Sequence, residues 1–219
     1  MTAFRFIAGI VIAALLAGIG YDLRRRMKSW NAAGEFLSRR FRDIRHGRET
    51  AGALSRARNI VAIVSGGLLL ILALSGFLPV VFLGIHLSGV LLVIHVTAAP
   101  LFAIALSALA LLHAHRLRFD ESDLQFALGS GERDSHGKDA LVRFALKAGF
   151  WLILTLSLPL MLTVILGLFP LFGTGGETML IRLHGYSALL LLVSALGELY
   201  LIGAYMEHTT EQPLKEQNP

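Results

Sequence analysis

Residues 85–112 read IHLSGVLLVIHVTAAPLFAIALSALALL. The stretch holds no Asp, Glu, Lys or Arg, yet it is far too long for a buried strand. As a helix at 1.5 Å per residue it spans about 42 Å, more than the roughly 30 Å of hydrocarbon in a bilayer. Its Leu, Ile and Val occupy every face, so no polar stripe is left for water. A helix of this kind crosses a membrane.

Three further runs repeat the pattern. Residues 60–84 and 149–172 carry no charge, and 181–205 carries only Arg182 at its start and Glu198 inside. A fifth run, 6–21, is at the short end for a span. It reads either as a signal peptide or as a retained anchor. No A-x-A site follows it, and Arg24, Arg25, Arg26 and Lys28 resist export, so a retained anchor is expected. Overall 55% of the 219 residues are hydrophobic and 16% are charged, against about 25% charged in soluble domains. The expected fold class is all-α: an integral membrane helical bundle of four long transmembrane helices plus an N-terminal fifth.

The charges set an orientation. Residues 22–59 carry eleven Lys/Arg against four acids, and 113–148 carry six of each. The connections at 79–84 and 170–180 hold only Glu177 between them. Both basic loops are expected in the cytoplasm, with the N-terminus outside and the C-terminus inside. The net charge of +5 is explained by these loops, so nucleic acid is not an expected partner; membrane lipid is. With no cysteine in the chain, disulfides, CxxCH haem attachment and cysteine-held iron–sulfur clusters are excluded. Residues 129–137 (GSGERDSHG) lack the Lys-Ser/Thr of a phosphate loop and read as a linker.

Histidines carry the chemistry. His46 and His136 fall in loops. His113, His115 and His208 fall where helices leave the membrane. His86, His95 and His184 fall within apolar runs, where ionisable groups are costly and mark function. The plainer reading of any one of them is a hydrogen bond across helices. His86 and His184 each fall a few residues into helices that run in the same direction. They are expected at one depth, which suits the two axial ligands of a b-type haem. Gly76, Gly89 and Gly185 suit either a flat macrocycle or close helix packing. Arg182 suits a haem propionate, snorkelling to the surface, or a pair with Glu177.

His95 lies about 13 Å below His86 and on the opposite face. It suits a second haem, but no histidine in the other runs matches its depth. Met161 is the nearest level match, and a bond to Ser, Thr or a carbonyl is the alternative. Glu198 lies about 21 Å below His184 near the same face. It is either a proton-accepting group for quinone chemistry or a hydrogen-bond partner of Tyr200 or a neighbouring helix.

The segments Leu74-Ser75-Gly76-Phe77-Leu78, Ile85-His86-Leu87-Ser88-Gly89, Gly173-Thr174-Gly175-Gly176 and Leu183-His184-Gly185-Tyr186-Ser187-Ala188-Leu189 give the chain a family likeness. Over residues 56–205 it resembles the membrane cytochrome b subunits of formate dehydrogenase, nickel–iron hydrogenase and thiosulfate reductase, and more distantly that of nitrate reductase. The resemblance implies a bacterial inner-membrane subunit. It implies an outer haem b ligated by His86 and His184, and quinone as substrate. It also implies a redox partner subunit carrying iron–sulfur clusters, c-type haem, or molybdenum or nickel. The family's inner-haem positions are here the 59–60 region and Glu198, neither a histidine, so one haem is implied and two only if His95 finds a partner. The pair His86 and His95 on one helix is similar to the nitrate reductase type.

The expected organisation is a membrane anchor at 1–22, a basic loop at 23–59, a cytochrome b-like domain at 60–208 and a tail at 209–219. Without nucleotide or flavin motifs the chain is read as one subunit of an oxidoreductase, not a complete one. The alternatives are a haem-free membrane anchor or assembly subunit, and a transporter built on His95 and Glu198.

Overall fold

The computed structural model describes residues 2–26, 52–128, 137–169 and 171–216. Every regular element among them is helical. α1 spans Thr2–Arg26, α2 Ala53–Phe77, α3 Gly89–His113, α4 Glu121–Ala127, α5 Gly137–Gly167 and α6 Gly173–Glu216. Among the described residues, five segments are long and apolar enough to cross a membrane: Ala3–Asp22, Ala53–Leu83, Gly89–His113, Ala140–Gly167 and Gly173–Ile202. The chain is thus an all-α, multi-pass membrane protein. Its side chains fit that solvent, since large apolar groups such as Leu111, Val90 and Phe82 stand exposed all along these helices, where lipid and not water meets them.

The helices reach beyond the uncharged runs. α2 begins at Ala53 instead of 60, and α6 begins at Gly173 instead of 181. Backbone hydrogen bonding sets where a helix ends, and it tolerates charged residues at the membrane border. The stretch 27–51, the linker 129–136, His46, and the side chain of His208 lie outside the described residues.

The chain divides into two compact units, residues 1–113 and 114–219. In the first, α2 and α3 pack as a hairpin. α2 does not simply stop. Pro79 has no N–H to return to Ser75, so the regular ladder fails there. The chain widens into a π-helical turn, Leu78–Leu83. Gly84 closes it in the left-handed region at φ 69°, with its N–H on the Pro79 carbonyl. The next residue, Ile85, donates to the same carbonyl at 3.0 Å. Residues 84–88 are not helical, and Gly89 opens α3 at φ 59°. α1 lies along this π turn. Its Ala8 and Ile12 are buried, and Gly9 meets Val81. At the other end, Arg58 of α2 donates from Nε to the Leu112 carbonyl at 3.1 Å, satisfying one of the open acceptors at the end of α3.

In the second unit α5 and α6 form the hairpin. The segment 113–148, expected as a loop, contains the short helix α4. Asp120 caps it, accepting from the Asp123 amide at 3.1 Å, while Asp123 reaches back to the Asp120 amide at 2.8 Å. Lys147 of α5 bonds both carboxylates, at 2.8 and 2.5 Å. Phe144 packs at a tilt against both Phe119 and Phe126, at centroid distances of 5.7 and 5.6 Å. Trp151 donates its indole N–H to the Leu117 carbonyl at 2.8 Å. These contacts fold the charged segment back onto the foot of α5.

Candidate cofactor site

Each hairpin holds one histidine by the same device. In the first unit His95 lies on α3, and its Nδ1 is 2.9 Å from Ser75 Oγ on α2. Ser75 Oγ in turn donates to the Ile71 carbonyl at 2.7 Å. In the second unit His184 lies on α6, and its Nδ1 is 3.2 Å from Thr163 Oγ1 on α5. Thr163 Oγ1 donates to the Leu160 carbonyl at 2.8 Å.

In each pair either the ring Nδ1 or the hydroxyl can be the donor, according to the tautomer of the ring. In either case the hydroxyl fixes the orientation of the imidazole.

His86 and His184 differ in their local setting. His86 precedes Gly89 in the exposed non-helical turn, whereas His184 lies well inside a helix that begins at Gly173. The two positive-φ glycines, Gly84 and Gly89, unwind the chain on either side of His86 and lift it out of the helix.

The glycines separate into those that matter and those that do not. A Cβ on Gly76 would stand 3.1 Å from Cε1 of His95, so this glycine lets the ring lie close against α2. Gly89 meets nothing within 4 Å; its role is the left-handed turn that starts α3. Arg182 is exposed, and among the described residues no ion pair joins it to Glu177. A second cation appears where sequence reading gave it no role. Arg5 of α1 lays its guanidinium over Gly84, two residues before His86, in space that a side chain on Gly84 would occupy. Its Nε is buried without a hydrogen-bond partner among the described residues.

Glu198 projects from α6 against Gly149 of α5, in the position a Cβ there would take. Its Oε2 is buried, with no hydrogen-bond partner among the described residues. An apolar groove of about 400 Å³ lies between Ile60, Val64 and Leu68 of α2 and Leu101 and Ile104 of α3. Its lining is aliphatic, suited to a lipid or isoprenoid chain and not to a polar head group.

No protein-family model, characterised protein or solved structure matches the chain. Its class rests on the fold and on these side chains: a multi-pass all-α membrane protein with two hydroxyl-held histidines.

Proposed function

We propose that the chain is a membrane electron-transfer subunit that binds at least one bis-histidine b-type haem and passes electrons between a quinone pool and a partner redox subunit. The reading is supported above all by His184 itself, an imidazole set within a membrane-spanning helix and oriented by Thr163 Oγ1 at 3.2 Å. His86 and His184 are the two ligands in this reading, and His95 is the candidate ligand of a second haem. Haem bound there supplies a one-electron carrier and, with both axial positions taken, no site for oxygen.

The chain's own residues do the rest. Thr163 and Ser75 orient the imidazoles. Arg5 and Arg182 offer guanidinium groups for carboxylates at the membrane border. The apolar helix faces keep water away, which tunes potential. The reading places the protein in a bacterial inner membrane, basic segments toward the cytoplasm, beside a partner carrying iron–sulfur clusters, c-type haem, or molybdenum or nickel.

A reduced-minus-oxidised spectrum of the purified chain tests it. A b-type absorption band is expected, and its absence overturns the proposal. A haem-free anchor is the second reading. It is favoured by the interhelical bonds of His95 and His184, which are also what purely structural histidines make in membrane hairpins. It predicts that His184→Ala leaves electron flow through the complex unchanged.

A further inference from the structure

Glu198 is the one acid within the described part of its span, Gly173–Ile202, beyond the first turns near Glu177. Acids so placed in membrane helices ordinarily serve as interhelical hydrogen-bond glue. Glu198 does not. Its Oε2 is sealed against the Gly149 backbone and bonds to nothing among the described residues. The elements packed there offer Lys147 of α5, the Asp120 and Asp123 of α4 that Lys147 binds, and Tyr200 of α6 itself. None of them reaches Oε2.

A bare carboxylate without a counter-charge is costly in so apolar a place, whereas the neutral acid is tolerated. The notch also has a specific shape. α5 presents glycine at a position where any side chain would collide with the carboxyl. Two residues earlier, about 3 Å along the axis, Lys147 reaches the polar cluster of α4. Water at that end is therefore close to the acid.

We infer that Glu198 is a proton-binding site, seated on Gly149, that exchanges its proton with a quinone head group. The quinone part rests on the proposed electron-transfer function; the proton site does not. When quinone is reduced, the carboxylic O–H of Glu198 breaks as an O–H forms on a quinone oxygen. The two electrons come from the partner redox protein, the second proton comes from water, and water at the Lys147 end reprotonates the carboxylate. Quinol oxidation runs the same exchange backwards.

Infrared spectroscopy of the full chain in lipid nanodiscs tests this. At neutral pH the wild type is expected to show a protonated-carboxyl C=O stretching band that shifts in D2O, is missing in Glu198→Gln, and moves when a short-chain benzoquinone is added. Gly149→Ala, whose methyl takes the carboxyl's place, is expected to shift the band while Glu198 stays in the chain. No such band in the wild type, or a band that survives in Glu198→Gln, overturns the proton site. A band that is present but indifferent to quinone leaves the proton site standing and overturns the quinone role. A band unmoved by Gly149→Ala removes Gly149 from the site.

Discussion

Ser75 and His95, twenty residues apart in sequence, join α2 to α3 through a 2.9 Å contact between Oγ and Nδ1. Ser75→Ala removes the hydroxyl partner of the ring nitrogen. Bonds of this kind in membrane bundles average about 0.6 kcal/mol and reach ~1.7. A loss in that range is expected, read as reduced unfolding stability in mixed micelles. Gly76→Ala keeps the bond but presses on the ring at 3.1 Å, so the His95 NMR signals should move while the hairpin persists.

Haem retention separates the three histidines. His184→Ala should abolish the b-type band. His86→Ala is expected to do the same, while His95→Ala retains the band. The reverse result assigns His95 in place of His86. Haem bound equally by all three variants would sink the bis-histidine proposal.

The foot of α5 carries a pH dependence. Hydrogen bonds, first from Lys147 and then from Ser122, hold the Asp120 carboxyl well below the usual carboxylate range. A carboxyl lowered in the folded state contributes its stability above the unfolded value near 3.9 and loses it as pH falls toward the lower folded value. Protection of the α4 amides from hydrogen exchange should therefore be flat at neutral pH and weaken in acid below about 4. In Lys147→Met that protection should already be low at pH 7.

Much of this architecture was legible in the sequence. Long uncharged runs gave the spans, since length and apolarity alone decide whether a helix can cross a bilayer. The ends were not legible. The turn holding His86 depends on Pro79 breaking the ladder and on Gly84 and Gly89 adopting positive φ, which makes the run 60–112 two helices with five non-helical residues between them. The α4 cap had a signal that was passed over, Asp120 and Asp123 spaced as a capping box. The histidine bonds had none. Which hydroxyl meets His95 or His184 depends on which helix faces come together, and apolar runs with residues on every side do not encode that.

Gly84→Ala should cost about 1–2 kcal/mol for the left-handed backbone alone, and more because the added methyl meets the Arg5 guanidinium. Gly89→Ala, with the same sign of φ but open surroundings, should cost only the backbone share. Thermal unfolding of the two variants side by side checks the difference.

Orientation is open to direct measurement because the chain has no cysteine. A single Ser122→Cys should react with a membrane-impermeant maleimide only from the cytoplasmic side, and Ser88→Cys only from the outside. Labelling with the sides exchanged would reverse the proposed topology.

The contacts of Ser75 and Thr163 with the two imidazoles also restrict how those rings can turn. Half a rotation about Cβ–Cγ would replace Nδ1 with a carbon and strand the oxygen, and for His95 it would change which edge of the ring meets Gly76. Both rings are thus locked against flipping. In nitrogen-15 spectra each should show a single tautomer with no exchange broadening, while His86, exposed in its turn, averages freely.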